Sequence, residues 1–223
     1  MNSLAIEPLV LERLDEWISI YWAAFEVPEV DMILPMIYPM GLTPELLHCL
    51  RNRLLRETDG NLRDCYFAKD RETDDIIGIS RWTIKDHVPQ SQEEIQEEVE
   101  RVTQARKADF LEGMNVALGD AALKAKLPSE YETMKEHSKY ANLILLAVHP
   151  KYHRRGVGTL LLKHGLENVD RLHLPVYVES GVYGKLLYER EGFKTMCDFP
   201  FDGREYGGRS KGRHWCMVRP PKP

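Results

Sequence analysis

LILLAVHPKYHRRGVGTLLLKHGLENV, residues 143–169, is the stretch whose reading decides the fold. Leu143 to Val148 is an apolar run too short for a membrane span and too continuous for a half-exposed strand, so it reads as a buried strand. A basic loop follows, Lys151 to Arg155, with glycines at 156 and 158. Val157, Leu161, Leu162, Leu166 and Val169 then recur at helical spacing. The order is strand, loop, helix. Such a junction binds anions: the opening turn of a helix has N–H groups without partners and the positive end of the helix dipole, and glycines let a phosphate approach that backbone. Arg154 and Arg155 add fixed positive charge beside it.

Further along, Leu174 to Val178 reads as a second strand. Glu179-Ser180-Gly181 comes next, then a helix through Leu186 and Leu187, and finally Tyr188-x-x-x-Gly192-Phe193. In this order the motifs resemble the GNAT (GCN5-related) N-acetyltransferase superfamily. Its acyl-CoA pyrophosphate loop reads Gln/Arg-x-x-Gly-x-Gly/Ala and here is His153-Arg154-Arg155-Gly156-Val157-Gly158. Its closing signature sets a Leu-Tyr pair on a helix before Gly-Phe. His153 departs from the family's Gln/Arg, a mild change where backbone amides do most of the holding. The long helical insertion and the His-Pro-Lys-Tyr-His-Arg-Arg-Gly loop look like those of members from filamentous fungi.

A dinucleotide-binding loop is the rival, since Gly156-x-Gly158 lies between strand and helix and Glu179 falls where a ribose-binding acid would. Three details oppose it. The third fingerprint glycine is Leu161, seven residues (His149 to Arg155) part the strand from the first glycine, and about thirty residues after Phe193 are too few to complete a doubly wound sheet.

The chain has 223 residues, 43% of them hydrophobic, and a formal charge of −5. That suits one soluble domain with a sizeable core and argues against sequence-independent nucleic-acid binding. With no signal-like start and no membrane-length run, the expectation is a cytoplasmic protein without membrane partners. Cys49, Cys65, Cys197 and Cys216 show neither metal-like nor CxxC spacing and read as buried small hydrophobes. The eight histidines form no HExxH or paired cluster, so no metal is expected.

From the N-terminus, Leu4 to Pro8 reads as a strand and Leu11 to Phe25 as a helix facing the core with Leu14, Trp17, Ile18, Tyr21 and Trp22. Pro28, Pro35 and Pro39 make the apolar segment before Thr43 poorly helical, a loop that either packs under the next helix or walls an acceptor pocket. Thr43-Pro44-Glu45 opens a helix. Arg63 to Lys69 and Ile76 to Thr83 flank a polar turn as a hairpin. Residues 85–140 read as a helical insertion with a capping box at Ser91 and Glu94, cut into short pieces by Gly113, Gly119 and Pro128. Its acidic residues form a solvated face or draw cations toward a site by long-range field. Lys194 to Phe199 and His214 to Arg219 read as closing strands around a basic glycine-rich loop, residues 207–213.

The resemblance implies an α/β (α+β) GNAT fold over residues 1–223: a mixed, mostly antiparallel sheet with helices on both faces and the insertion before the cofactor strand. It implies acetyl-CoA as donor, lying along Leu146, Ala147 and Val148, with its pyrophosphate on His153, Arg154, Arg155, Gly156, Val157, Gly158 and Thr159. Ser180 either binds the pantetheine arm or caps the next helix. Tyr188 is the expected acid for the leaving thiolate and also touches the cofactor. Glu179 is the first candidate for the base and His149 the second. The expected reaction is transfer of acetyl to a primary amine of a small molecule. The alternatives are a protein or peptide amine, or an acyl-CoA sensor that keeps the fold without the chemistry. Oligomeric state is not readable.

Overall fold

The computed structural model describes residues 4–26, 33–207 and 213–222. Pro28, Met32 and residues 208–212 of the basic loop lie outside them.

Seven strands form one open sheet in the order β1-β2-β3-β4-β5-β7-β6. They are β1 (Leu4–Pro8), β2 (Cys65–Asp70), β3 (Ile76–Lys85), β4 (Tyr140–Val148), β5 (Val176–Gly181), β6 (Lys194–Asp198) and β7 (His214–Arg219). Every neighbouring pair is antiparallel except β4 and β5. The helices are α1 (Leu14–Phe25), α2 (Ile33–Ile37), α3 (Pro44–Glu57), α4 (Gln92–Arg106), α5 (Val116–Met134), α6 (Val157–Asp170) and α7 (Val182–Arg190). The mixed sheet with helices on both faces is the expected fold.

Alternation along the strands assigns the faces. Phe67, Ile79 and Ala147 point into a core with α1, α2 and α3. Tyr140, Tyr177 and Cys216 join α4 and α5, while their neighbours Ala141, Val176, Val178 and Met217 pack on the other side against α6 and α7. Asn115 N–H bonds to the Ile37 carbonyl, so α5 follows directly on α2 and the insertion extends the α1 face across the C-terminal half of the sheet.

Several elements differ from the sequence reading. Gly119 and Pro128 do not divide the insertion, for both lie inside the nineteen-residue α5. A proline inside a helix costs about 3 kcal/mol. Burial of Leu118, Leu123, Leu127, Tyr131 and Met134 outweighs it, and Asn115 caps the start by accepting from Leu118 N–H at 3.1 Å. Pro35 sits in the first turn of the short α2, where a missing N–H leaves no bond broken, so part of the proline-rich segment is helical after all. The second strand begins at Val176 and runs on through Glu179, Ser180 and Gly181, because these still pair with Cys216, Trp215 and His214 of β7. The cysteines are not uniformly buried: Cys65 and Cys216 are, Cys49 is half-buried, and Cys197 is exposed.

Two glycines seat α6 on the sheet. A Cβ on Gly165 would lie 2.1 Å from the Trp82 indole, and one on Gly78 would lie 2.7 Å from Val157. At the far end of α6, Asp170 accepts from Arg219 at 2.6 and 3.1 Å. The helix is thus fixed along its length, and its first turn is held beside the end of β4.

Candidate active site

The mouth of α6 is built from the loop leaving β4. After Val148 the chain makes a single 3-10 turn, Pro150–Tyr152, capped by the His149 ring, whose Nδ1 accepts from Lys151 N–H at 3.2 Å. Arg154 and Gly156 then take left-handed conformations, φ 64° and 82°. Alternation of this kind turns successive N–H groups to one side, as in anion-binding nests. At Gly156 only glycine adopts such a φ without strain.

α3, α4 and α5 each start with a side-chain cap, from Thr43, Ser91 and Asn115. α6 starts with bare Gly156, and among the described residues no side chain caps it. Its N-cap carbonyl accepts from Leu160 N–H at 3.0 Å, which leaves the first-turn N–H groups pointing outward. A Cβ on Gly158 would meet only Leu187 and Val148, at 3.5 and 3.6 Å, ordinary contact distances. The protein's own packing therefore does not demand glycine there, although a closely approaching ligand would. Arg154 and Arg155 are exposed, with the Arg155 guanidinium over the Tyr152 ring. His153 reaches back, its Nε2 lying 2.9 Å from the Val148 carbonyl.

Beside this mouth the sheet opens. β4 and β5 pair over three residues, Ala141 to Leu143 against Val176 to Val178, and no further. The cause lies in β4. Trp82 pairs with Leu143 while the adjacent Arg81 pairs with Leu145, so Ile144 is an extra, bulged residue just past the last β4–β5 contact. Bulges bend and twist a strand. Beyond it, His149 N–H bonds to the Ile77 carbonyl on β3. Strand alternation then sets the N–H groups of Leu146 and Val148 on the opposite edge, facing the gap, where β5 supplies no partner.

Tyr188 lies on the α6 side of this gap. Its ring is buried against Phe193, with centroids 5.4 Å apart, and fits over Gly184, where a Cβ would stand 2.7 Å from the ring. Its hydroxyl makes no hydrogen bond among the described residues, and burial pushes its pKa well above the ordinary 10. Ser180 shares this side: it is buried, its Oγ donates to the Gly181 carbonyl at 2.9 Å, and it borders the same open face of Gly184.

Glu179 points the other way, toward α5. Burial pushes its pKa up, but the His214 hydrogen bond and the positive charge of Lys126 outweigh that and hold the carboxyl below its usual range. His214 Nδ1 lies 3.5 Å from Glu179 Oε1, and the His214 ring rests on the open side of Gly181. His149 keeps to its own turn, its ring in edge contact with Tyr152. Burial and the charges of Lys151 and His153 lower its pKa.

The structure thus gathers the predicted loop, Leu146 to Val148, Ser180 and Tyr188 around one gap, with Glu179 on its opposite face. Sequence reading missed His214 and Lys126, which meet Glu179 only through the β5–β7 register and the course of α5. It also missed Gly184, whose i, i+4 spacing to Tyr188 on one helix was an available signal. An open cavity of about 470 Å³ on the outer side of α3, lined by His48, Cys49, Asn52 and Asp109, includes none of these residues. Among the described residues no cluster of His, Cys, Asp or Glu could hold a metal ion, and no helix is long and apolar enough to cross a membrane.

A family model described as an acetyltransferase (GNAT) domain matches residues 118–195, from within α5 to the start of β6, and so spans the gap and the mouth. No curated protein matches the chain by sequence. Among solved structures, a mosquito arylalkylamine N-acetyltransferase like 5b matches with TM-score 0.68 at 15% identity, over 98% of this chain and 100% of that one. An agmatine N-acetyltransferase matches with TM-score 0.67 at 14% identity, over 97% and 98%. Arylalkylamine N-acetyltransferase 2 from Aedes aegypti matches with TM-score 0.65 at 14% identity, over 98% and 99%. The fold is that of the GNAT acetyltransferases.

Proposed function

We propose that the chain works as a single acyltransferase domain, moving acetyl from acetyl-CoA to a primary amine by direct attack. The observation that carries this reading is the pairing of an uncapped helix mouth, flanked by two exposed arginines, with a gap between β4 and β5. Their donors suit an acyl-CoA. The first-turn N–H groups of α6, flanked by Arg154 and Arg155, are matched to a diphosphate. The Leu146 and Val148 edge is matched to an amide-bearing arm and to a carbonyl oxygen gaining negative charge. When bound, acetyl-CoA supplies an activated thioester.

In this reading the residues divide the work. Tyr188, kept protonated by burial, holds a proton for a departing thiolate, and its hydroxyl has no competing partner. Glu179 is a carboxylate throughout the neutral range and receives the ammonium on the other face of β5. It takes the amine's proton directly or through water, with His214 alongside. His149 is the second candidate for that step. Its lowered pKa leaves a neutral imidazole at pH 7, but its Nδ1 is already engaged in its own turn.

A small-molecule amine is the proposed acceptor. The arylalkylamine and agmatine acetyltransferases named among the structural matches support that class, and a protein amine is the alternative acceptor. Kinship with filamentous-fungal GNAT proteins and a cytoplasmic location belong to the same proposal, the first resting on the loop and the insertion.

The test is release of free CoA thiol from acetyl-CoA across a panel of arylalkylamines, polyamines and peptides. Transfer to at least one amine is expected, with Tyr188→Phe slowing turnover on the order of a hundredfold while leaving donor affinity close to wild type. Binding of acetyl-CoA with no thiol release for any acceptor would mark a sensor instead. An unchanged rate in Tyr188→Phe would remove that residue from the acid role.

A further inference from the structure

The C-terminal strands set two cysteines in direct register. Cys197 of β6 pairs with Cys216 of β7, past a bulge at Met196 that shifts the register between Thr195 and Cys197. Directly opposed residues of an antiparallel pair project from the same face, with Cα atoms about 4.5 or about 5.5 Å apart. Both spacings fall in the disulfide range of about 4.4–6.8 Å.

Side-chain contacts agree with a shared face. Cys197 Sγ lies 4.0 Å from Thr133 Oγ1 on α5, and Cys216 belongs to the core beneath that helix. The two thiols differ in access and chemistry. Cys197 is exposed on a strand whose five residues are all exposed, so an oxidant reaches it freely. Cys216 is fully buried, and its Sγ accepts from Tyr177 O–H at 3.3 Å. Burial and the adjoining Cys197 thiol push its ionisation up to about 12, against the lowering effect of Tyr177. Cys216 therefore does not react first with an oxidant in solution; it waits beside the thiol that does.

We propose that Cys197 and Cys216 form a peroxide-responsive dithiol that closes to a cross-strand disulfide. In the first step the Cys197 thiol gives up its proton and the thiolate attacks one peroxide oxygen: an S–O bond forms, the O–O bond breaks, sulfur is oxidised by two electrons to the sulfenic acid, and the departing hydroxide takes up the released proton to leave as water. In the second, the Cys216 sulfur displaces hydroxide from the sulfenic acid. An S–S bond forms, the S–O bond breaks, and the proton from Cys216 leaves with the hydroxide as water. The product ties edge strand β6 to β7 at the residue paired, on its other side, with Glu179 of β5. The proposal stands on strand register and thiol exposure and does not depend on the transferase reading.

The test is titration of the full-length protein with hydrogen peroxide, followed by alkylation of remaining thiols, intact mass measurement and peptide mapping. The expected result is loss of two of the four alkylatable cysteines and of the mass of two hydrogens, with one cross-linked peptide pair carrying Cys197 and Cys216, reversed by dithiothreitol. Cys197→Ser, at an exposed position the core does not need, loses the cross-link; Cys49→Ser keeps it. Conversion of Cys197 to sulfinic acid with Cys216 still alkylatable, or linkage of two chains through Cys197, would overturn the proposal.

Discussion

Gly158 shows how one residue separates the needs of the fold from those of a ligand. A Cβ there makes only ordinary contacts with Leu187 and Val148, so Gly158→Ala is expected to fold with unchanged stability or a gain of roughly 0.5–1 kcal/mol from reduced chain entropy. Titration calorimetry is expected to find acetyl-CoA bound at least tenfold more weakly, because the methyl stands where the phosphates approach. Weaker binding together with lost stability would make the glycine structural. Glu179 carries the matching prediction for pH. Its folded pKa lies below the ordinary 4.5, so its contribution to stability is complete above pH 4.5 and lost as pH falls through the folded value. Glu179→Gln removes that contribution, so the stability gap between wild type and variant is expected to narrow below pH 4.5 in thermal unfolding scans, while at neutral pH the variant shows a raised KM for the amine. A gap that is constant with pH would mean that Glu179 is not held as described. At this scale the loop glycines and Tyr188 were legible in the sequence because their roles follow from local geometry. His214 and Lys126 were not, since the register that brings them to Glu179 is written in no local pattern.

Among the elements, α6 has its first turn left open where α3, α4 and α5 have theirs closed. Arg154 and Arg155 add exposed charge at that turn, each worth about 0.2–1 kcal/mol toward an anion, as exposed ion pairs are. Arg154→Ala combined with Arg155→Ala is thus expected to weaken acetyl-CoA binding by roughly tenfold and to flatten its dependence on salt, measured as affinity against ionic strength. Affinity and salt slope equal to wild type would put the diphosphate elsewhere. Helix and strand periodicity located nearly every element. The failures came where burial overrode propensity, at Pro128 inside α5; where a first-turn position made a proline harmless, at Pro35 in α2; and where cross-strand pairing extended an element, at Glu179 to Gly181. The bulge at Ile144 was invisible in an unbroken apolar run, because Leu, Ile and Val satisfy either register.

Across the molecule, β4 serves two partners along one strand: up to Leu143 it pairs with β5, and beyond Ile144 it turns an unpaired edge to the gap that α6 and α7 flank. The faces are covered by α1 to α5 on one side and α6 and α7 on the other, and the gap opens at one end only because the bulge at Ile144 bends β4 there. Backbone amide hydrogen exchange of the full-length protein with and without acetyl-CoA tests this arrangement most directly. The arrangement predicts slowed exchange at Val157, Gly158 and Thr159 in the mouth and at Leu146 and Val148 along the edge, in the same complex. Protection confined to other segments, with those five amides exchanging as in the free protein, would contradict it.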